Sequence, residues 1–170
     1  MRISIRTLVI AAIAAAALTT ARDVRAQESQ KGQPKTPFGA DDFRKLRWMA
    51  GTWKATAPGE QTHYERYKFA NDSTIEITYY SDSSLARESG SGRVYLSVGR
   101  IYHTFGPGRW GATSIDANGV YFVPQDNARN TFAWNHSSPD AWTATIRTGY
   151  SGRERVTVYQ LERVGPPNDK

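Results

Sequence analysis

The chain has 170 residues, 22 Lys and Arg against 16 Asp and Glu, and no Cys. That length suits one domain with one core. The missing Cys excludes disulfides and lipid attachment through a Cys. Residues 1–26 hold Arg2, Arg6, Arg22 and Arg25 against Asp23, which is +3 of the formal +6; the remainder carries +3. Its Lys and Arg are scattered, with no stripe of the kind that binds nucleic acid.

Arg2 and Arg6 precede an almost unbroken apolar run, Leu8 to Leu18. The run is too short to span a bilayer comfortably. Val24-Arg25-Ala26, or alternatively Thr19-Thr20-Ala21, offers a small-residue cleavage site. Residues 1–26 therefore read as a removable signal peptide. The expectation is an exported protein, periplasmic or secreted, with no stable membrane anchor after cleavage. Residues 27–40 are polar, contain Gly32, Pro34 and Pro37, and read as a flexible linker. Asp41 or Asp42 can cap a short helix that turns Phe43, Leu46 and Met49 inward. A barrel domain is expected over 41–165, followed by a polar tail over 166–170.

From Gly51 onward the pattern is strand and turn. Strands are predicted over Thr52–Ala57, Thr62–Phe69, Thr74–Tyr80, Arg93–Val98, Arg100–Phe105, Trp110–Ile115, Val120–Val123, Thr131–His136, Ala141–Thr148 and Glu154–Val164. Pro58-Gly59, Asn71-Asp72, Asp116-Ala117-Asn118-Gly119 and Pro139-Asp140 are among the turns. Thr74–Tyr80 alternates most clearly, with Ile75, Ile77 and Tyr79 on one face. Gly90-Ser91-Gly92 reads as flexible. About nine or ten short strands joined by sequential hairpins predict an all-β, antiparallel up-and-down barrel, with a β-sandwich as the alternative.

In a barrel closed this way the first and last strands are neighbours. Arg163, near the end of the last, can then lie over the indole of Trp53 on the first as a cation–π pair. Gly51 would let the backbone turn beneath the ring. These three residues are the expected closure.

Trp48-Met49-Ala50-Gly51-Thr52-Trp53 resembles the W-L-A-G-x-W opening of an uncharacterised bacterial family of calycin-like (lipocalin-like) barrel domains. Glu65-Arg66-Tyr67 stands where that family tends to have E-x-W. Gly152-Arg153-Glu154-Arg155 and Glu162-Arg163-Val164 are similar to its G-x-E-R and terminal R-V close. The resemblance spans about residues 46–164 and implies a calycin-type barrel, often exported, with no settled activity. One departure is clear: Pro124-Gln125-Asp126-Asn127-Ala128 lacks the His-Asp pair such domains often place after a Pro.

Five Trp, nine Tyr and six Phe give the strands a large aromatic complement. Lined on one inner face, such rings form an apolar pocket with a few polar handles. The expected pocket residues are Tyr79, Trp110, Phe132, Trp134 and His136, the last three sharing one face of a strand. The expected partner is a small hydrophobic molecule, held by a monomer or weak dimer. No metal site is expected, because no two of His63, His103 and His136 fall at a short ligand spacing. No cofactor is expected either, with haem ligated by His136 as the alternative. Two other functions stay open: an enzyme using Glu65 or His136 as acid or base, and a solid-cored interaction module. No catalytic signature marks the chain.

Overall fold

A computed structural model describes residues 37–149 and 153–165. The expected signal peptide, most of the expected linker, Gly152 of the Gly152-Arg153-Glu154-Arg155 motif and the polar tail lie outside the described residues. The first element is helix α1 (Ala40–Arg44), which runs into a 3-10 turn over Lys45–Met49. Ten strands follow: β1 (Gly51–Thr56), β2 (His63–Asn71), β3 (Thr74–Tyr80), β4 (Glu88–Ser97), β5 (Arg100–Phe105), β6 (Gly108–Ile115), β7 (Gly119–Pro124), β8 (Asn130–Ser138), β9 (Ala141–Thr148) and β10 (Arg155–Arg163). Each strand pairs antiparallel with the next, and β1 pairs with β10. The result is a closed up-and-down barrel rather than a sandwich, and it leaves no free sheet edge.

Most strand ends differ from the sequence reading by one or two residues, and two differences bear on the packing. The helix starts at Ala40, and the segment before it is docked: the Phe38 N–H donates to the Gly99 carbonyl at 2.8 Å. The Asp42 carboxylate accepts from the Gly39 N–H at 3.0 Å, so the acid caps from inside the first turn. β4 starts at Glu88 and includes Gly90-Ser91-Gly92, which pairs with β3. These strand positions are glycine because a Cβ at Gly90 would crowd the Phe105 ring and one at Gly92 would collide with the Thr104 carbonyl.

The helical segment plugs the end of the barrel from which β1 rises. Phe43, Leu46 and Met49 are 0% exposed. The inner faces of the strands fill that half with Trp53, Trp142, Ile75, Ile101 and Leu161. Trp142 is the centre of this packing, meeting Trp48, Trp53, Tyr67 and Trp134 edge-on at 5.5–5.9 Å between ring centroids.

The seam is fixed by Arg163. It is the register partner of Trp53, and its guanidinium carbon lies 4.1 Å from the indole centroid. Its nitrogens donate to the Ala50 carbonyl at 2.9 Å, to the Pro139 carbonyl at 2.7 Å and to the Asp140 carboxylate at 3.1 Å. Gly51, at φ +125°, has no Cβ to collide with Arg163 Nη1. The Trp53 indole N–H donates to the Met49 carbonyl at 2.8 Å, tying plug to strand. We expect Gly51→Ala to lower the unfolding free energy by about 1–3 kcal/mol. Arg163→Gln should cost a similar amount. In urea titrations the double variant should lose less than the sum of the two, because both changes disrupt one contact. Full additivity would show that the residues act separately.

Candidate functional site

The half of the barrel opposite the plug is not filled. It encloses a cavity of about 290 Å³. The strand directions place around it the later residues of β3, β5 and β9, the early residues of β2, β6 and β8, and Tyr159 in the middle of β10. Among the described residues no Lys or Arg lines it.

One arc of the wall is aromatic. Trp110 on β6 and Phe132 and Trp134 on β8 line it, with Ala144 and Ile146 of β9 beside them. Phe132 packs 5.7 Å from Trp110 and 5.2 Å from Trp134 between centroids. The Trp110 indole N–H donates to the Asn130 carbonyl at 2.9 Å, which fixes its ring at the rim. The opposite arc, on β2, β3 and β10, is polar. Glu65 is 8% exposed and accepts two hydrogen bonds: from the Tyr67 hydroxyl at 2.5 Å and from His63 Nε2 at 2.8 Å. Tyr79 is the cross-strand partner of Glu65, so the two side chains stand next to each other on the inner face. Gly90 lies opposite Tyr79 on β4, and Gly92 follows two residues on. The missing side chains leave the Tyr79 ring room to lie over β4 and to meet Phe105 edge-on at 5.0 Å.

Glu65 sets the charge states around it. Its hydrogen bond raises the His63 pKa above the ordinary 6.5, against the opposing effect of burial. Burial and the nearby carboxylate push the hydroxyls of Tyr67 and Tyr79 well above their ordinary range, so both stay neutral. No described residue forms a hydrogen bond with the Tyr79 hydroxyl.

His103 on β5 also borders the cavity. It is 5% exposed, and neither ring nitrogen has a hydrogen-bond partner among the described residues. Its ring stands nearly perpendicular to Phe132 and Trp134, 5.3 Å from each, an arrangement in which a ring N–H can face a π cloud. Burial lowers its pKa from 6.5 to about 3, so it is a neutral imidazole.

Of the five expected pocket residues, the structure brings Tyr79, Trp110, Phe132 and Trp134 together around one cavity. His136 is not among the lining residues. It stacks on Trp48, 5.0 Å between centroids and 15° apart, at the plugged end. The physical reason is strand rise: residues 132, 134 and 136 share a face, but four residues of strand cover about 13 Å. That distance carries the row from the cavity to the floor. Haem held through His136 would therefore lie outside this cavity, against the Trp48 ring. The same position removes His136 from acid or base work there. Sequence reading gave His63 and His103 no place in the pocket, and Glu65 a place there only as the acid or base of an enzyme. The alternation of Glu65 and Tyr67 with exposed Arg66 was the signal available for β2, and Ile101-x-His103 was the signal for β5.

Among the described residues no group of three or more His, Cys, Asp or Glu is placed to hold a metal ion. No family model matches the chain, and no curated protein matches it. Solved structures do match. One is a redesigned β-barrel, b11L5F_LGL, at 16% identity and a TM-score of 0.38, covering 72% of this chain and 96% of that one. Another is EF1p2_mFAP2b bound to DFHBI, at 17% identity and a TM-score of 0.35, covering 72% and 99%.

The two histidines give opposite pH signatures. His63 has a raised folded-state pKa, so its contribution is complete below about pH 6.5 and is lost as pH rises through the folded value. His103 has a lowered one, so stability is lost as pH falls from about 6.5 towards 3. We expect His103→Phe, which keeps a flat ring, to flatten the acid limb. The difference from the parent protein should change between about pH 6 and pH 4 by up to about 1.4 kcal/mol per pH unit, the value for one proton. Urea melts across that range check it; a pH-independent difference would show that His103 is not held neutral by burial.

Proposed function

We propose that this protein is an exported, calycin-like barrel that holds a small, mainly apolar molecule in the open half of its cup. The observation that carries the reading is the cavity itself, about 290 Å³ and walled on one side by Trp110, Phe132 and Trp134. A solid-cored interaction module has no such space. The volume is near the lower end of the roughly 300–1,000 Å³ usual for small-molecule sites, so the guest is small. The filled floor beneath the cavity keeps the space open without a guest, which limits the ordering cost of binding. The family resemblance of the opening and closing motifs supports the calycin and export readings, as does the leader-like character of residues 1–26. The molecule acts as a monomer or weak dimer and needs no nucleic acid.

Burying roughly 200 Å² of apolar guest surface at about 25 cal/mol per Å² contributes about 5 kcal/mol. That alone corresponds to sub-millimolar binding, and micromolar affinity needs about 8 kcal/mol. Polar groups of the wall must supply the rest.

Two of the five Trp residues, Trp110 and Trp134, border the cavity. A flat apolar probe should therefore quench Trp emission saturably. Ala144→Phe, which adds a ring inside the cavity, should weaken the probe by about tenfold or more while leaving the fold cooperative. Native mass spectrometry of protein purified from its own host should show a retained guest. A barrel that takes up no apolar probe would overturn the reading.

A further inference from the structure

We propose that the cavity selects uncharged ring compounds that carry a hydroxyl group and turns away anions, with Glu65 and Tyr79 as the residues that decide it. The inference rests on the ligand-binding reading above and names the chemical class of the guest.

Three observations lead to it. First, among the described residues the cavity wall has one carboxylate and no Lys or Arg. Barrels that take fatty acids or other carboxylates need a cation to receive the charge. Here the sole cationic candidate on the wall is His63, and its Nε2 is already engaged with Glu65 Oε1 at 2.8 Å. An anionic guest would face Glu65 with no free counter-charge.

Second, Glu65 retains acceptor capacity. Each of its oxygens receives one hydrogen bond, from His63 and from Tyr67. A carboxylate offers about four lone-pair sites, so a guest that donates a hydrogen bond can still be received. Third, the Tyr79 hydroxyl has no described partner; Tyr79 and Glu65 are cross-strand neighbours that line the same cavity, and the Glu65 carboxylate is near enough to act electrostatically on that hydroxyl. A hydroxyl on the guest completes both: it donates to Glu65 and accepts from Tyr79. A carbonyl would serve Tyr79 alone, and a bare hydrocarbon would leave both groups unpaired on being buried. The ring that bears the hydroxyl would then lie across the cavity on Phe132 and Trp134.

Three probes of one ring system test the inference by isothermal titration calorimetry near neutral pH: naphthalene, 2-naphthol (uncharged there) and 2-naphthoate (ionised there). In the parent protein 2-naphthol should bind about tenfold more tightly than naphthalene, since a well-placed hydrogen bond contributes about that factor. 2-Naphthoate should bind about tenfold or more weakly than naphthalene. Tyr79→Phe and Glu65→Gln should each reduce the naphthol preference to about threefold or less with naphthalene unchanged, and Glu65→Gln should admit 2-naphthoate. Tyr79→Phe leaves the His63–Glu65–Tyr67 trio intact, so it decides the matter even where Glu65→Gln fails to fold. Equal binding of 2-naphthoate and 2-naphthol, or variants that leave the preference unaltered, would overturn the selectivity while the ligand-binding reading stands. Binding of none of the three would instead overturn that underlying reading.

Discussion

The guanidinium of Arg163 lying over the indole of Trp53 is the contact on which the rest of the barrel depends. It acts at the one pairing that the chain cannot make locally, between strands separated by nearly the whole domain. Nine of the ten strand pairings join sequence neighbours and cost little loop-closure entropy. The tenth closes the ring, so whatever stabilises it decides between a barrel and a curled open sheet. Arg163 does more than stack. Its donors hold the Ala50 and Pro139 carbonyls, which lie on either side of the seam. A planar, always charged fork suits this work better than an ammonium would.

The closed end explains why the other half can stay open. Phe43, Leu46 and Met49 enter from the helical segment and meet Trp53 and Trp142. This half holds the long-range apolar burial that a domain of this size needs, without disulfides. Space at the far end then costs little stability, because the strands there are still fully paired. A small barrel filled along its length would leave nothing for a guest, and one hollow along its length would lack a core.

Within the cavity, charge is confined to one place. Glu65 is held by one Tyr and one His, and burial together with its charge keeps Tyr67 and Tyr79 in their neutral forms. Buried carboxylates are tolerated when they are hydrogen-bonded, and this one is bonded at both oxygens. His103 represents the opposite choice, a titratable ring kept neutral by aromatic surroundings instead of by a partner. The wall is thus polar on the β2–β3 side and aromatic on the β6–β8 side, a division suited to a guest with one polar edge.

Much of this fold was legible in the sequence by itself. Alternating apolar residues and turn signals mark about nine or ten strands, all but the first half of β4 within two residues of their observed bounds, because a strand with one buried face must repeat with period two. Gly51, Trp53 and Arg163 could be joined beforehand, since sequential hairpins leave only the first and last strands to meet. The rim aromatics Tyr79, Trp110, Phe132 and Trp134 were likewise visible as inward positions. What only the tertiary structure decided was depth and neighbourhood. Alternation tells which face a residue occupies, but not how far along the barrel axis it lies, so His136 was grouped with Trp134 although it belongs to the floor. Gly90 and Gly92 looked like loop because their reason for being glycine is on other strands, in the Phe105 ring and the Thr104 carbonyl. The pairing of Glu65 with Tyr79 follows from strand register, which the sequence of either strand does not contain.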